Sequence, residues 1–405
     1  MTFARRRCCA IAASRFRRDK GIESLKGSFG EDMRIAFVSH QRQWWRKQRL
    51  AAKYWKMRLE GVIYPDVYCL ALMLADKFDF LLEDENVPAG KYDLILAELG
   101  ASESQLRYLE SLVVAGDPPV AVIPGPPAIL SRDLTDAKLR MVKRILGEAR
   151  QVWAYSPELK TFCDGMIGRE RAVVIPWPYD LAAAQKLAGF ARSENALRKS
   201  AARESGGHKI LVQAPMSFHD VVQNHPFVIK SVLLDVWQEL PVALRERITF
   251  HSFVYNSVDL EKYKSSEFAA GLPFVLEGKR GYRAFLRFLA GCDGVINLTS
   301  GSVLGRITFL AAGLGRPGIF SDNSQLNLRL YPGSTVAMFD TVRLRELLRG
   351  MLLGLGGETD PRLVPCAAVA AEVGDWAANR ARLRGIVFGG TPPPPPFVKS
   401  LESSS

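Results

Sequence analysis

The sequence predicts an α/β protein built from two doubly wound, Rossmann-like domains that face each other across a cleft. Three observations carry this expectation. Short apolar runs alternate with amphipathic helical stretches along most of the chain, the pattern of a mostly parallel sheet with helices on its faces. That alternation is interrupted once, over residues 181–207, where Phe190 is the one aromatic or β-branched residue and Gly206–Gly207 break the pattern. The chain has 405 residues, more than one core usually holds, since cores tend to split above about 250–300 residues.

The first series opens with "RIAFVSH" (34–40), a short apolar run bounded by polar residues, as expected of a buried parallel strand. A helix is predicted next, with Trp44, Trp45, Gln48, Ala51, Ala52, Trp55 and Leu59 at helical spacing and Gly61 ending it. Strands are predicted at 91–99, 118–125, 150–156 and 171–180, with helices such as "SQLRYLESLVV" and "DAKLRMVKRILGEA" between them. Residues 33–180 form the expected N-terminal domain and 181–207 a helical linker.

The second series, 208–369, begins with the strand "KILVQAP" and the amphipathic helix "HPFVIKSVLLDVWQEL". "RITFHSFV" and "PFVLEG" are strands, "GYRAFLRFLAGCD" a helix, and "GVINLT", "GRPGIFSD" and "STVAMFD" further strands. A helix over 341–355 closes the series, and 370–388 reads as one last helix. The tail 389–405 is Pro-rich and then Ser-rich, a composition that does not build a core. No solenoid-period repeat is present.

The net charge is +12. Residues 1–32 carry a surplus of four positive charges and residues 33–60 a surplus of seven, so most of the excess lies at one end. Such an excess favours anionic partners. The start "MTFARRRCCAIAASRFRRDK" is basic, but its apolar stretch is too short for a secretory signal. Met33 opens a natural first strand, so 1–32 reads as a disordered leader or over-long start. The six cysteines form no CxxC pair, which argues against a zinc site or disulfide framework and fits reduced thiols in a cytoplasm. No apolar run reaches the length of a transmembrane helix.

One stretch carries the clearest chemistry: "NLTSGSVLGRITFLAAGLGRPGIFSD" (297–322). It reads as strand end, Gly/Ser loop, small-residue helix, turn and strand. Such a loop gathers backbone N–H groups at a helix N-terminus, where the dipole favours negative charge. Ser300, Gly301, Ser302 and Gly305 are small enough to admit a phosphate, and Arg306 adds a charge-assisted contact. The bland alternative is a tight glycine turn with Arg306 merely solvated. Asn297–Leu298–Thr299 is formally a glycosylation triplet, discounted because it falls on a buried strand.

The order of these pieces resembles GT-B glycosyltransferases, above all glycosyltransferase family 4. "RIAFVSH" is similar to their first strand, and "VWAYSPELKTFCDGMIGRERAVVIPWPYD" to their passage ending in Ile-Pro-x-x-x-Asp (Ile175, Pro176, Asp180). Gly278, Asp293, Gly315 and Pro317 sit at positions similar to their signature, and the resemblance spans roughly 33–388. It implies an N-terminal acceptor domain, a C-terminal nucleotide-sugar domain, and a last helix that packs back on the first domain. It also implies a donor that is a UDP-, GDP- or ADP-sugar, with no cofactor and no metal, and retention of configuration. The sequence departs from the pattern where the family has two glutamates eight positions apart: here stand Ser302 and Leu310. The family's Gly-Arg and Lys diphosphate grip is also unmatched, as the first strand of the second domain leads into Gln213 and Ala214. Lys279 and Arg280, after Gly278, are candidates to supply the missing charge, as is Arg306.

His40 ends the first strand at its carboxyl edge, where an imidazole can act as a base or bind a hydroxyl; the alternative is a hydrogen-bonded loop histidine. His219, Asp220 and His225 match no strong metal spacing. The basic, Trp-rich stretch 41–59 suits an anionic membrane surface, with a helix packed on its own sheet as the simpler reading.

The leading expectation is therefore a glycosyltransferase, cytoplasmic or peripheral on the inner face of a membrane. Its acceptor would be a glycan or lipid-linked, in envelope polysaccharide or glycolipid synthesis. The alternative is a non-catalytic GT-B-like protein that binds a sugar nucleotide, glycan or partner enzyme, kept open by Ser302 and Leu310. Nucleic-acid binding is suggested by charge alone and has no recognised motif behind it.

Overall fold

The computed structural model describes residues 33–38, 69–75, 78–82, 85–100, 102–125, 135–189, 207–213, 226–254, 257–265, 270–278, 280–298, 305–337, 340–355 and 357–388. The first half runs β1 (Ile35–Val38), α1 (Cys69–Leu74), β2 (Phe78–Leu81), β3 (Leu94–Leu99), α2 (Glu103–Ala115), β4 (Val120–Pro124), α3 (Asp136–Glu148), β5 (Gln151–Ala154), α4 (Pro157–Ile167) and β6 (Ala172–Val174). Its six strands are ordered β2-β1-β3-β4-β5-β6, and every pair is parallel. β1 and β4 are buried at every position, which is why they read as continuous apolar runs rather than alternating ones.

After α5 (Leu181–Ala188) the second half runs β7 (His208–Val212), α6 (Pro226–Glu239), α7 (Val242–Arg245), β8 (Ile248–Val254), α8 (Ser257–Ser265), β9 (Phe274–Gly278), α9 (Tyr282–Ala290) and β10 (Gly294–Asn297). It continues with α10 (Arg306–Gly313), β11 (Gly318–Ser321), α11 (Gln325–Leu330), β12 (Thr335–Val336), α12 (Thr341–Gly354), α13 (Ala367–Val373) and α14 (Trp376–Phe388). The sheet order is β12-β11-β10-β7-β8-β9, again parallel throughout. The fold is thus two doubly wound α/β halves, the GT-B architecture that the sequence resemblance implies.

Local signals explain where the helices start. Ser102, Thr135, Ser156, Asp180, Ser324 and Asp340 each accept a first-turn N–H of α2, α3, α4, α5, α11 and α12. Gly116, Gly168 and Gly189 close α2, α4 and α5 in the left-handed region.

The structure differs from the sequence reading in three places. β6 stops at Val174, because Pro176 and Pro178 have no N–H to give a sheet ladder. The first part of the expected linker is α5, whose Ala183, Ala184 and Leu187 are buried against α9 and α10. The expected last helix is two, α13 and α14, divided at Gly374–Asp375, where the Asp375 carboxylate accepts the N–H of Ala378 at 3.0 Å.

Two crossings join the halves. In the first, Trp177, Tyr179 and α5 carry the chain from the first sheet to the second. Leu181 fits where Gly313 and Gly374 lack side chains, and its N–H donates to the Gly374 carbonyl at 3.0 Å. In the second, α14 returns to rest on α1, and the Arg384 guanidinium donates to the Leu74 carbonyl at 2.5 Å. One apolar cluster is continuous from Ile35 and Leu96 through Trp177, Tyr179 and Phe309 to Val295 and Phe320. A second cluster, around Trp237, Phe250 and Leu347, fills the opposite face of the second sheet.

Candidate functional site

The topology of the second sheet fixes where a ligand site belongs. The chain winds outward from β7 through β8 to β9, then jumps back to β10 on the other side of β7 and winds out to β12. A crevice opens at such a reversal, at the carboxyl ends of the strands. β7 and β10 are hydrogen-bonded neighbours there, and the Gln213 N–H donates to the Ile296 carbonyl at 2.9 Å.

Gly305 and Arg306 open α10 just beyond β10. Gly305 is the N-cap, at φ 55° and ψ 28°, a left-handed conformation that a side chain disfavours. Crowding reinforces the requirement: a Cβ here would lie 3.0 Å from Asn327 Oδ1 and 3.4 Å from Leu326 Cδ2. A glycine cap offers no side-chain acceptor, so no side chain caps α10. Its first turn also holds no acid to compete with an anion. Arg306 is exposed at the first helical position and acts electrostatically on the buried Tyr179.

The walls around this turn carry buried polar atoms without partners. Asn297 at the end of β10, Thr308 on α10 and Asn327 on α11 are all at least nine-tenths buried, and among the described residues Asn297 Oδ1, Thr308 Oγ1 and Asn327 Oδ1 have no hydrogen-bond partner. Asn327 is held in place through its Nδ2, which donates to the Ser321 carbonyl at 2.9 Å, so its Oδ1 is left toward Gly305. Unmet acceptors at the rim of a phosphate-type turn suit a ligand with hydroxyl donors. The sequence reading missed Asn327; its one local signal was the Ser324 cap three residues earlier.

Leu310, where the resemblance calls for an acid, is 1 % exposed and packs in the core that joins the two crossings. Its neighbour Phe309 stacks on Tyr179 with ring centroids 4.1 Å apart and planes at 4°. Tyr179 continues through Trp177 to Tyr155, at 5.7 Å and 3.6 Å. Burial pushes the Tyr179 hydroxyl well above its ordinary range, with Arg306 pulling the other way, so the ring is neutral.

Gly278 ends β9, three strand spacings from β10, about 14 Å at ~4.8 Å each. Arg280 follows it, but its guanidinium donates to Glu277 Oε2 at 2.6 and 3.1 Å and lies over the rings of Phe253 and Phe288. Its charge is therefore balanced within its own turn, whereas Arg306 makes no ion pair among the described residues. Glu277 also stands 3.6 Å from His251 Nδ1, too far for a hydrogen bond. Lys279, Ser300, Gly301, Ser302 and His40, together with the 41–59 stretch and His219, Asp220 and His225, lie outside the described residues. Among the described residues no three His, Cys, Asp or Glu side chains converge as a metal site, and no helix is long and apolar enough to cross a membrane.

Comparison with known proteins agrees with this architecture. No protein-family profile matches the sequence, and no curated protein matches it significantly. Among solved structures, HepE from Anabaena in complex with UDP-glucose is similar with a TM-score of 0.59 at 15 % identity, over 88 % of this chain and 100 % of that one. A UDP-forming α,α-trehalose-phosphate synthase from Burkholderia xenovorans gives 0.53 at 13 % identity, over 87 % and 79 %. The α,α-trehalose 6-phosphate synthase from Burkholderia multivorans gives 0.52 at 11 %, over 74 % and 72 %. At these identities the likeness is one of fold.

Proposed function

We propose that this chain is a glycosyltransferase related to family 4 that takes its sugar from a nucleoside diphosphate, with UDP-glucose the first donor to test. One observation carries the reading: a helix N-terminus without a side-chain cap, opened by the left-handed Gly305 and the exposed Arg306, stands at the reversal point of the second sheet. Support comes from the fold, shared over the whole length of a protein that binds UDP-glucose and with proteins that form UDP.

In this reading the diphosphate lies on the first turn of α10. Negative charge grows on its leaving oxygens as the sugar departs. The α10 dipole and the Arg306 guanidinium meet that charge without reorganising. Ser300, Gly301, Ser302 and Gly305 let the phosphates approach, Asn297 and Asn327 accept from donor hydroxyls, and Gly278, Lys279 and Arg280 lie toward the far end of the donor. The acceptor, a glycan or a lipid-linked molecule, belongs at the carboxyl edge of the first sheet with His40. The basic stretch 41–59 is a cationic segment suited to an anionic membrane surface, which fits a cytoplasmic, peripheral enzyme of envelope synthesis.

A second reading is favoured by Leu310. The position is core, so a carboxylate there is replaced by packing rather than displaced nearby. That leaves room for a protein that binds a sugar nucleotide without transferring the sugar. Incubation with UDP-glucose, followed by NMR for released UDP, separates the two. Release that Arg306→Ala suppresses supports the transferase. Binding without release under any acceptor supports the second reading, and absence of both refutes the donor site.

A further inference from the structure

Three buried polar atoms without a hydrogen-bond partner among the described residues fall around one turn. They are Asn297 Oδ1, Thr308 Oγ1 and Asn327 Oδ1, on residues 6, 0 and 2 % exposed. Gly305 shows that two of these side chains converge. A Cβ built on it would lie 3.0 Å from Asn327 Oδ1 and 3.7 Å from Thr308 Cβ. Strand alternation brings the third to the same side. Ile296 packs in the cluster around Trp237, so its neighbours Val295 and Asn297 point to the opposite face, where Val295, Phe309 and Leu326 share the continuous cluster. Asn297 is also the ladder partner of Phe320, and the next residue, Ser321, is the one that holds Asn327.

The chemical sense of these atoms is fixed by their surroundings. The Ser321 carbonyl can only accept, so the Asn327 nitrogen faces it and the oxygen is left toward Gly305. The Asn327 backbone N–H donates to Ser324 Oγ at 3.1 Å, which holds the residue from its other side. Neither α10 nor α11 carries an acid, and Asp322, which lies between them in the chain, is exposed. The turn therefore presents neutral acceptors beside a helix N-terminus that favours anions. A buried amide oxygen without a donor is unfavourable, and a hydroxyl supplied by a ligand relieves it.

We propose that Asn297, Thr308 and Asn327 read the hydroxyls of the donor's sugar, so that the chain selects an uncharged, hydroxylated sugar over a deoxy sugar or a uronic acid. This rests on the donor site proposed above and adds what that site discriminates. Diphosphate and sugar are then recognised by different groups. The α10 dipole and Arg306 meet the phosphates whatever sugar they carry. The amide oxygens accept only from a donor group. A deoxy sugar leaves one of them unpaired, and the carboxylate of a uronic acid sets negative charge against oxygen acceptors.

The test is calorimetric titration of the full chain with UDP, UDP-glucose, its monodeoxy analogues and UDP-glucuronate, beside thermal unfolding of each variant without ligand. Wild type is expected to bind UDP-glucose roughly 10-fold or more tightly than UDP-glucuronate and than at least one deoxy analogue. Thr308→Val and Asn327→Ala should each bring those ratios toward unity. Arg306→Ala should weaken UDP and every conjugate alike and so preserve the ratios. Thr308→Val has a further readout that needs no ligand. It removes an unpartnered buried hydroxyl at nearly constant shape, so its unfolding midpoint should equal or exceed that of wild type. A lower midpoint would show the hydroxyl bonded within the fold and overturns the proposal. Equal binding of UDP-glucose and all its analogues by wild type, or discrimination that Thr308→Val and Asn327→Ala both retain, also overturns it and leaves the donor site standing. A folded wild type that binds no UDP compound overturns the donor site and this proposal together.

Discussion

The ring of Tyr179, on the segment that crosses between the two sheets, lies parallel to the ring of Phe309 on α10, with centroids 4.1 Å apart. Arg306, the candidate phosphate contact, is one helical turn from Phe309. The wall between the halves and the helix proposed to hold the donor thus share one stacked pair.

Phe309→Ala should cost roughly 3–5 kcal/mol of stability, because a fully buried ring leaves a cavity. A double-mutant cycle with Tyr179→Leu and Phe309→Leu in denaturant titrations should return a coupling of about 1 kcal/mol. Additive losses would show that the two rings are merely buried side by side.

Gly305→Ala should lose stability by about 1–2 kcal/mol through the left-handed backbone alone. Contact with Asn327 Oδ1 adds to that loss. Asn327→Ala in the same background should recover part of it, as read from the unfolding midpoint.

Asp180 caps α5 through the Ala183 N–H at 2.9 Å, although burial raises its pKa. Asp180→Ala should cost about 1 kcal/mol, and Asp180→Asn much less, because the amide still caps. The sign of its pH effect follows from the raised pKa. The folded state binds this proton more tightly than the unfolded one, so the contribution weakens as pH rises through the carboxylate range. Asp180→Asn should remove that dependence.

His251 titrates the other way. Burial lowers its pKa from 6.5, against the pull of Glu277, while Lys209 and Arg280 add to the lowering. The folded state therefore binds this proton less tightly than the unfolded chain. Stability should fall as pH drops below about 6.5, and His251→Gln should flatten that part of the profile. An unchanged slope would place the effect elsewhere.

Much of the architecture was legible because parallel strands are buried on both faces. "PPVAVIPG" and "GVINLT" show themselves as apolar runs for that reason, and the helix starts by their Ser, Thr and Asp caps. β2 was not legible. It is an edge strand, and Asp79 within it is held by the Tyr92 hydroxyl at 2.9 Å, a contact between residues on different elements. The aromatic column was hidden for the same reason: Tyr155, Trp177 and Tyr179 stack across the end of the first half, and Phe309 joins them from a helix 130 residues further on. At the site, the glycine turn could be read from composition. The burial of Leu310 could not, since depth is not written in local sequence; Glu277 stands only three residues before Arg280, but their spacing alone does not show that the two side chains meet.

The donor site is tested most directly by calorimetric titration with UDP, GDP, ADP and their sugar conjugates, using wild type and Arg306→Ala side by side. Arg306 is exposed and makes no ion pair among the described residues, so its removal should leave the unfolding midpoint unchanged. The account predicts that one nucleotide binds and that Arg306→Ala weakens it roughly 10–150-fold, the worth of a charged hydrogen bond. A folded wild type that binds none of them, or a variant that binds as tightly as wild type, would contradict it.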